Sequence, residues 1–222
     1  PPPPKSSTGK IVGIVVACVA GLALLASLSA VVLYMATGPD ETSDGKAAEP
    51  AGKRYSLKLR DTVLAGDYKL ADDVSKEVQA DLDAEVGAGQ YTSVSGVYAP
   101  EGDGEDSITV LAFHGDVELP GMEKRGFLRG AAQNDGTSVV RKATDFTVLG
   151  ASGTVTCQVL SEKEDGVGDL LVPTCVWADR DMLVSTVVSD PELIDADPES
   201  IDLEAAAKDL VTIRDELRVP RK

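Results

Sequence analysis

The sequence predicts an α+β fold: a mainly antiparallel sheet with flanking helices and one disulfide, preceded by a single transmembrane helix. Three observations predict it. Short β-rich runs and apolar stripes of helical period occupy separate stretches of residues 54–222, rather than alternating as in parallel α/β folds. Cys157 and Cys175 each lie in an alternating, strand-like run. Residues 11–35 form one unbroken apolar run without a charge.

That run, IVGIVVACVAGLALLASLSAVVLYM, spans roughly 37 Å as a helix at about 1.5 Å per residue. A hydrocarbon core needs only about 30 Å, and a helix satisfies its own backbone groups in lipid. Tyr34 suits the interface at one end. Lys5 and Lys10 precede the run and Asp40, Glu41 and Asp44 follow it, so residues 1–10 are expected in the cytoplasm and everything after the span outside. A cleaved signal peptide is the competing reading. Its apolar core would be shorter, and Tyr34-Met35-Ala36 fits a small-x-small cleavage site poorly. The chain begins on Pro1, and leading residues are expected to precede it. Gly13, Ala17 and Gly21 recur every four residues and form a candidate helix-packing face for a homodimer or a membrane-complex partner. The same spacing also arises because small residues are common in such helices.

The chain carries 21 basic and 37 acidic residues. Lys5 and Lys10 are the only charges before residue 36, so the outer part has a net charge of −18. Such a surface repels phosphate backbones and excludes nucleic-acid binding as an expected function. Cys157 and Cys175 both lie in the outer part, where an oxidising compartment favours their pairing. Closing that loop is expected to contribute about 3 kcal/mol. Cys18 lies inside the apolar run.

The elements follow in order. Residues 36–53 are rich in Gly, Pro, Ala and acid without an apolar period, and are expected to form a flexible linker. Tyr55, Leu57 and Leu59 alternate with polar residues as a short strand. Ala65-Gly66-Asp67-Tyr68 reads as a turn. Residues 71–86 place Val74, Val78, Leu82 and Val86 on one helical stripe that Gly87 and Gly89 terminate. Tyr91–Tyr98 and Ser107–Phe113 read as a hairpin across the acidic loop 101–106. A short helix is expected from Pro120 to Ala132, with Met122, Phe127 and Leu128 as its apolar contacts and Asn134-Asp135-Gly136 as its stop.

Four further strands are expected at Thr144–Leu149, Gly153–Leu160, Leu170–Trp177 and Met182–Val188. Val155, Cys157 and Val159 share one face, as do Cys175 and Trp177, which would set the disulfide beside a buried tryptophan. Pro173 cannot donate to a ladder and is expected at an edge or a bulge. A last helix, from about Asp202 to Leu217, is capped by Ser200 or Asp202 and buries Leu203, Ala206, Leu210, Ile213 and Leu217.

The Pro-rich head, the apolar span, LRDTVLAGDYKLADD, GTVTCQV and VPTCVWADRDMLVSTV together resemble a group of actinobacterial, Streptomyces-like single-pass membrane proteins. The extracytoplasmic domain of that group carries a Cys…Cys-x-Trp-Ala-Asp pattern. The likeness covers the overall architecture and the last third, and the middle poorly. It implies location at the cell membrane and a paired cysteine hairpin, and it implies no activity.

No chemical motif points to catalysis. His114 is the only histidine and sits at a strand end; Gly150-Ala151-Ser152-Gly153 is turn-like and is not a nucleophile elbow. Loops 101–106 and 162–169 concentrate oxygen donors but match no calcium loop. Asp179-Arg180-Asp181 is expected to turn the chain between the last two strands. No catalytic, cofactor-binding or metal-ligating residue is assigned. The expected function is a non-catalytic binding or interaction domain at the cell envelope, held to membrane lipid by residues 11–35 and facing a protein or envelope partner. The alternatives are an accessory subunit of a larger membrane complex and, more remotely, a cell-surface enzyme.

Overall fold

The computed structural model describes residues 54–102, 104–134, 136–164 and 168–221. The strands in chain order are β1 (Tyr55–Leu57), β2 (Thr62–Val63), β3 (Tyr68–Asp73), β4 (Tyr91–Ser93), β5 (Gly96–Pro100), β6 (Ser107–Gly115), β7 (Thr137–Phe146), β8 (Val155–Glu164), β9 (Gly168–Ala178), β10 (Met182–Ser189) and β11 (Arg218–Pro220). The helices are α1 (Ser75–Val86), α2 (Pro120–Ala131) and α3 (Leu203–Leu217). Nine strands form one sheet in the order β2-β3-β5-β6-β10-β9-β8-β7, with β4 beside β6. β1 and β11 form a separate pair. Every pairing is antiparallel, so the chain is α+β with a mainly antiparallel sheet, as predicted.

Helices cover both faces of this sheet. On one face, Ile108, Val110, Val155, Cys157, Cys175, Trp177 and Val184 pack with Leu203, Leu210 and Ile213 of α3. On the other, Leu111, Phe113, Val176 and Leu183 pack with Val78 and Leu82 of α1 and with Phe127 and Leu128 of α2. Alternate residues of β6 thus serve opposite cores, and Ser107–Phe113 is buried throughout. A strand buried on two faces loses its polar alternation.

Caps and turns fit their residues. Asp202 is the N-cap of α3, its side chain accepting the Ala205 N–H at 2.9 Å. Glu204 and Lys208 form the expected surface pair at 2.7 Å. Pro120 opens α2, where a missing N–H costs nothing. Gly87 closes α1 at φ 96.

Several boundaries differ from those read in the sequence. The predicted helix 71–86 begins at Ser75, because Tyr68–Asp73 pairs with Gly96–Pro100 as β3. Of its stripe, Val78 and Leu82 are buried and Val74 packs alongside them. Tyr91–Tyr98 is two strands laid end to end along one edge of β6, with register Tyr91↔Gly115 and Tyr98↔Ile108. The strand expected at Thr144–Leu149 is instead Thr137–Phe146, an edge strand exposed on both faces, whose sequence therefore carries no alternation. The strand expected from Gly153 starts at Val155. Pro173 lies on β9, an interior strand, opposite Val159 of β8. The ladder from β9 to β10 ends at Thr174↔Val187, one residue short of Pro173, so β9 is locally an edge there. In α3 the buried alanine is Ala207, while Ala206 is half-buried.

Candidate functional site

Cys157 and Cys175 stand directly opposite each other on β8 and β9, 4.0 Å apart at Cα, and are disulfide-bonded. Trp177, two residues on and on the same face, is fully buried. Its indole N–H donates to the Ser152 carbonyl at 2.8 Å. The guanidinium carbons of Arg214 and Arg218 lie 4.4 and 4.9 Å from its ring centroid. Arg214 is itself fully buried; it donates to the Gly150 carbonyl at 3.0 Å and pairs with Asp215 at 2.7 Å. Burial, and then the neighbouring Arg218, hold its pKa below the usual arginine value, while Asp215 works against them. The turn-like Gly150–Gly153 segment thus serves through its backbone carbonyls. Gly150 and Gly153 adopt φ 89 and 76, which glycine tolerates.

Asp179-Arg180-Asp181 makes the predicted turn between β9 and β10. The Asp179 side chain accepts the N–H groups of Asp181 and Met182, at 2.8 and 3.0 Å. Both acids are engaged elsewhere as well: Asp179 pairs with Arg218 at 3.2 Å and Asp181 with Arg54 at 3.1 Å. The backbone carbonyls of Arg180 and Asp181 accept from Val117 and Gly115. Burial raises the Asp179 pKa, against the pull of the two N–H donors and Arg218. This tip ties the sheet to Arg54, beside β1, and to Arg218 at the start of β11.

His114 lies one residue before the end of β6, between Thr92 and Met182. Its Nδ1 is buried without a hydrogen-bond partner, and burial followed by Arg221 lowers its pKa. Loops 101–106 and 162–169 are only partly among the described residues. Among the described residues no group of three or more His, Cys, Asp or Glu side chains is disposed to hold a metal ion. Gly13, Ala17, Gly21 and the predicted span 11–35 lie outside the described residues; within them no helix is long and apolar enough to cross a membrane.

A groove that sequence reading missed lies under the first turns of α3. It has a volume of about 190 Å³, floored by Ile108, Pro173, Thr186 and Val188 of the sheet and walled by Ala205 and Ala206. Asp202 and Asp209 also line it. They are seven residues apart on α3, about 10 Å along its axis and on one side. Small alanines opposite the uncovered end of β9 leave the space unfilled. Burial alone raises the Asp209 pKa. Lys208 pairs with Glu204 and also feels Asp202, whereas Asp209 makes no ion pair among the described residues.

No family model matches this chain, and no curated protein matches it.

Proposed function

We propose that the chain is a membrane-anchored envelope protein whose outer domain, residues 54–222, works outside the cytoplasm as a non-catalytic binding or interaction module. The disulfide carries this reading. Cys157 and Cys175 sit bonded in the sheet interior, and such a bond persists in an oxidising compartment. The uncharged run 11–35, with lysines only on its N-terminal side, supports the same orientation. The acidic outer surface supports a protein or envelope partner over a nucleic acid. The test is the thiol state of protein taken directly from cells under acid quench. Full protection of both cysteines from alkylation is expected; free thiols at both positions would contradict the topology.

The Gly13/Ala17/Gly21 spacing supports a second reading, an accessory subunit of a larger membrane complex. Mild detergent extraction followed by affinity capture separates the two. Co-purification that Gly13→Leu abolishes favours the subunit, and capture unaffected by that change removes it.

A further inference from the structure

We propose that the groove between α3 and the β6/β10/β9 face binds an aliphatic chain ending in a primary ammonium, the shape of a lysine side chain presented by a polypeptide partner. This inference rests on the reading of the domain as a binding module and names the chemistry of its site. The groove's floor and walls are largely hydrocarbon: Ile108, Pro173, Val188, Ala206 and Ile213 among them. A purely apolar ligand would satisfy those groups but not the two carboxylates beside them. Asp209 stands exposed at the groove's rim, as does Asp202, and no ion pair to Asp209 is made among the described residues. An incoming ammonium meets two carboxylates of opposite charge at the rim while its methylene stem covers the apolar floor. An anionic ligand would face Asp202 and Asp209 directly, with Asp190 close enough to Tyr68 to act on the same hydroxyl as Asp209. Geometry limits the occupant to a slender chain, because α3 and the sheet are already packed together through Leu203, Ala207 and Leu210. Asp202 is held by its capping bond to Ala205, so Asp209 is the carboxylate free to close on the ligand.

The full chain, methyl-labelled on Ile, Leu and Val and held in phosphatidylcholine nanodiscs, is titrated with three capped amino acids: Nα-acetyl-lysine amide, its ε-acetylated form, and Nα-acetyl-norleucine amide. The lysine compound is expected to shift the methyls of Ile108, Val188, Ile201 and Ile213 saturably, with a Kd of about 1 mM for a ligand of that size. The two uncharged compounds should bind about three- to fivefold more weakly, as should the lysine compound to Asp209→Asn. Ala206→Leu, which fills the groove, should abolish the shifts while leaving the remaining methyl spectrum in place. Equal binding of all three compounds, or an unchanged affinity in Asp209→Asn, overturns the ammonium assignment and leaves a groove that binds apolar chains. No saturable shift with any compound overturns the site itself; the envelope reading then stands or falls on the thiol state of the cysteines.

Discussion

The guanidinium of Arg214 lies 4.4 Å from the ring centroid of Trp177, and both side chains are fully buried. A charge so placed is tolerated because three things meet it: the negative face of the indole, the Gly150 carbonyl, and the Asp215 carboxylate. Arg218 lies against the same ring and against Tyr55 of β1, and reaches Asp179 in the β9–β10 turn. One tryptophan therefore joins the disulfide-bearing hairpin, the last turn of α3 and the β1–β11 strand pair. The register of that pair is Tyr55↔Pro220 to Leu57↔Arg218.

Arg214→Ala should cost about 2–3 kcal/mol, combining a cavity over the indole with the lost cation–π contact. Arg214→Met should recover at least half of that loss, since an unbranched apolar side chain refills the space and its sulfur packs well on an aromatic ring. Arg214→Lys should fall between them, lacking the planar stack. Urea midpoints at constant m-value give the order. Alanine and methionine variants of equal stability would mean that the packing around Trp177 is loose.

The sheet's interior was legible in the sequence and its edges were not. Buried strands β6, β8, β9 and β10 announce themselves by apolar density and by the two cysteines. β7 and β3 bury little, so Thr137–Phe146 and Tyr68–Asp73 carry no periodic signal. The β1–β11 pair depends on residues at opposite ends of the domain and leaves no local trace. Arg214 had a visible signal: it stands four residues after Leu210 and eleven after Leu203, inside the apolar stripe of α3. A charge at a stripe position marks either a misplaced stripe or a buried ion pair. The groove was not legible, because it arises where Ala205 and Ala206 face a stretch of sheet that no larger side chain covers.

The Cys157–Cys175 bond closes a loop of moderate length, with a sequence separation of 18. Chain-entropy reasoning assigns it about 3 kcal/mol. The Cys157→Ser/Cys175→Ser double variant should lose roughly that amount in chemical denaturation, and reductant should destabilise the wild type but not the variant. A reductant effect of the same size in both would show that the bond contributes nothing through the unfolded state.

Leu64 and Ala65 hold φ values of 53 and 59, in the left-handed region that L side chains avoid. The Glu216 carboxylate fixes them by accepting both backbone N–H groups, at 2.9 and 3.1 Å. Ala65→Gly should therefore stabilise the fold by about 0.5–1 kcal/mol, since glycine adopts that conformation freely. Glu216→Ala should destabilise it by about 1–2 kcal/mol by releasing two donors at once. In the double variant the two effects should not add, because the clamp and the strain share one turn. Strict additivity by thermal melts would show that Glu216 does not hold the turn.

His114 supplies a pH dependence with a definite sign. Its pKa in the folded chain lies below its ordinary value of 6.5, first through burial and then through Arg221. The unfolded chain therefore binds the proton more readily between the two values, and stability attributable to His114 is intact above about 6.5 and lost as pH falls. Glu123, Asp179 and Asp209 act the other way. Burial raises their pKa values, so the folded state takes up their protons first and gains stability as pH falls toward those values. The four contributions overlap in a wild-type melt and must be separated by difference. His114→Gln removes only the histidine's share and keeps a polar side chain at the strand end beside Thr92 and Met182. The gap in Tm between variant and wild type should be constant above about pH 7 and should widen in the variant's favour below 6.5. A gap that stays flat down to pH 5 would mean that His114 is as well hydrated in the folded chain as in the unfolded one, and that its unpartnered Nδ1 is met by solvent rather than buried.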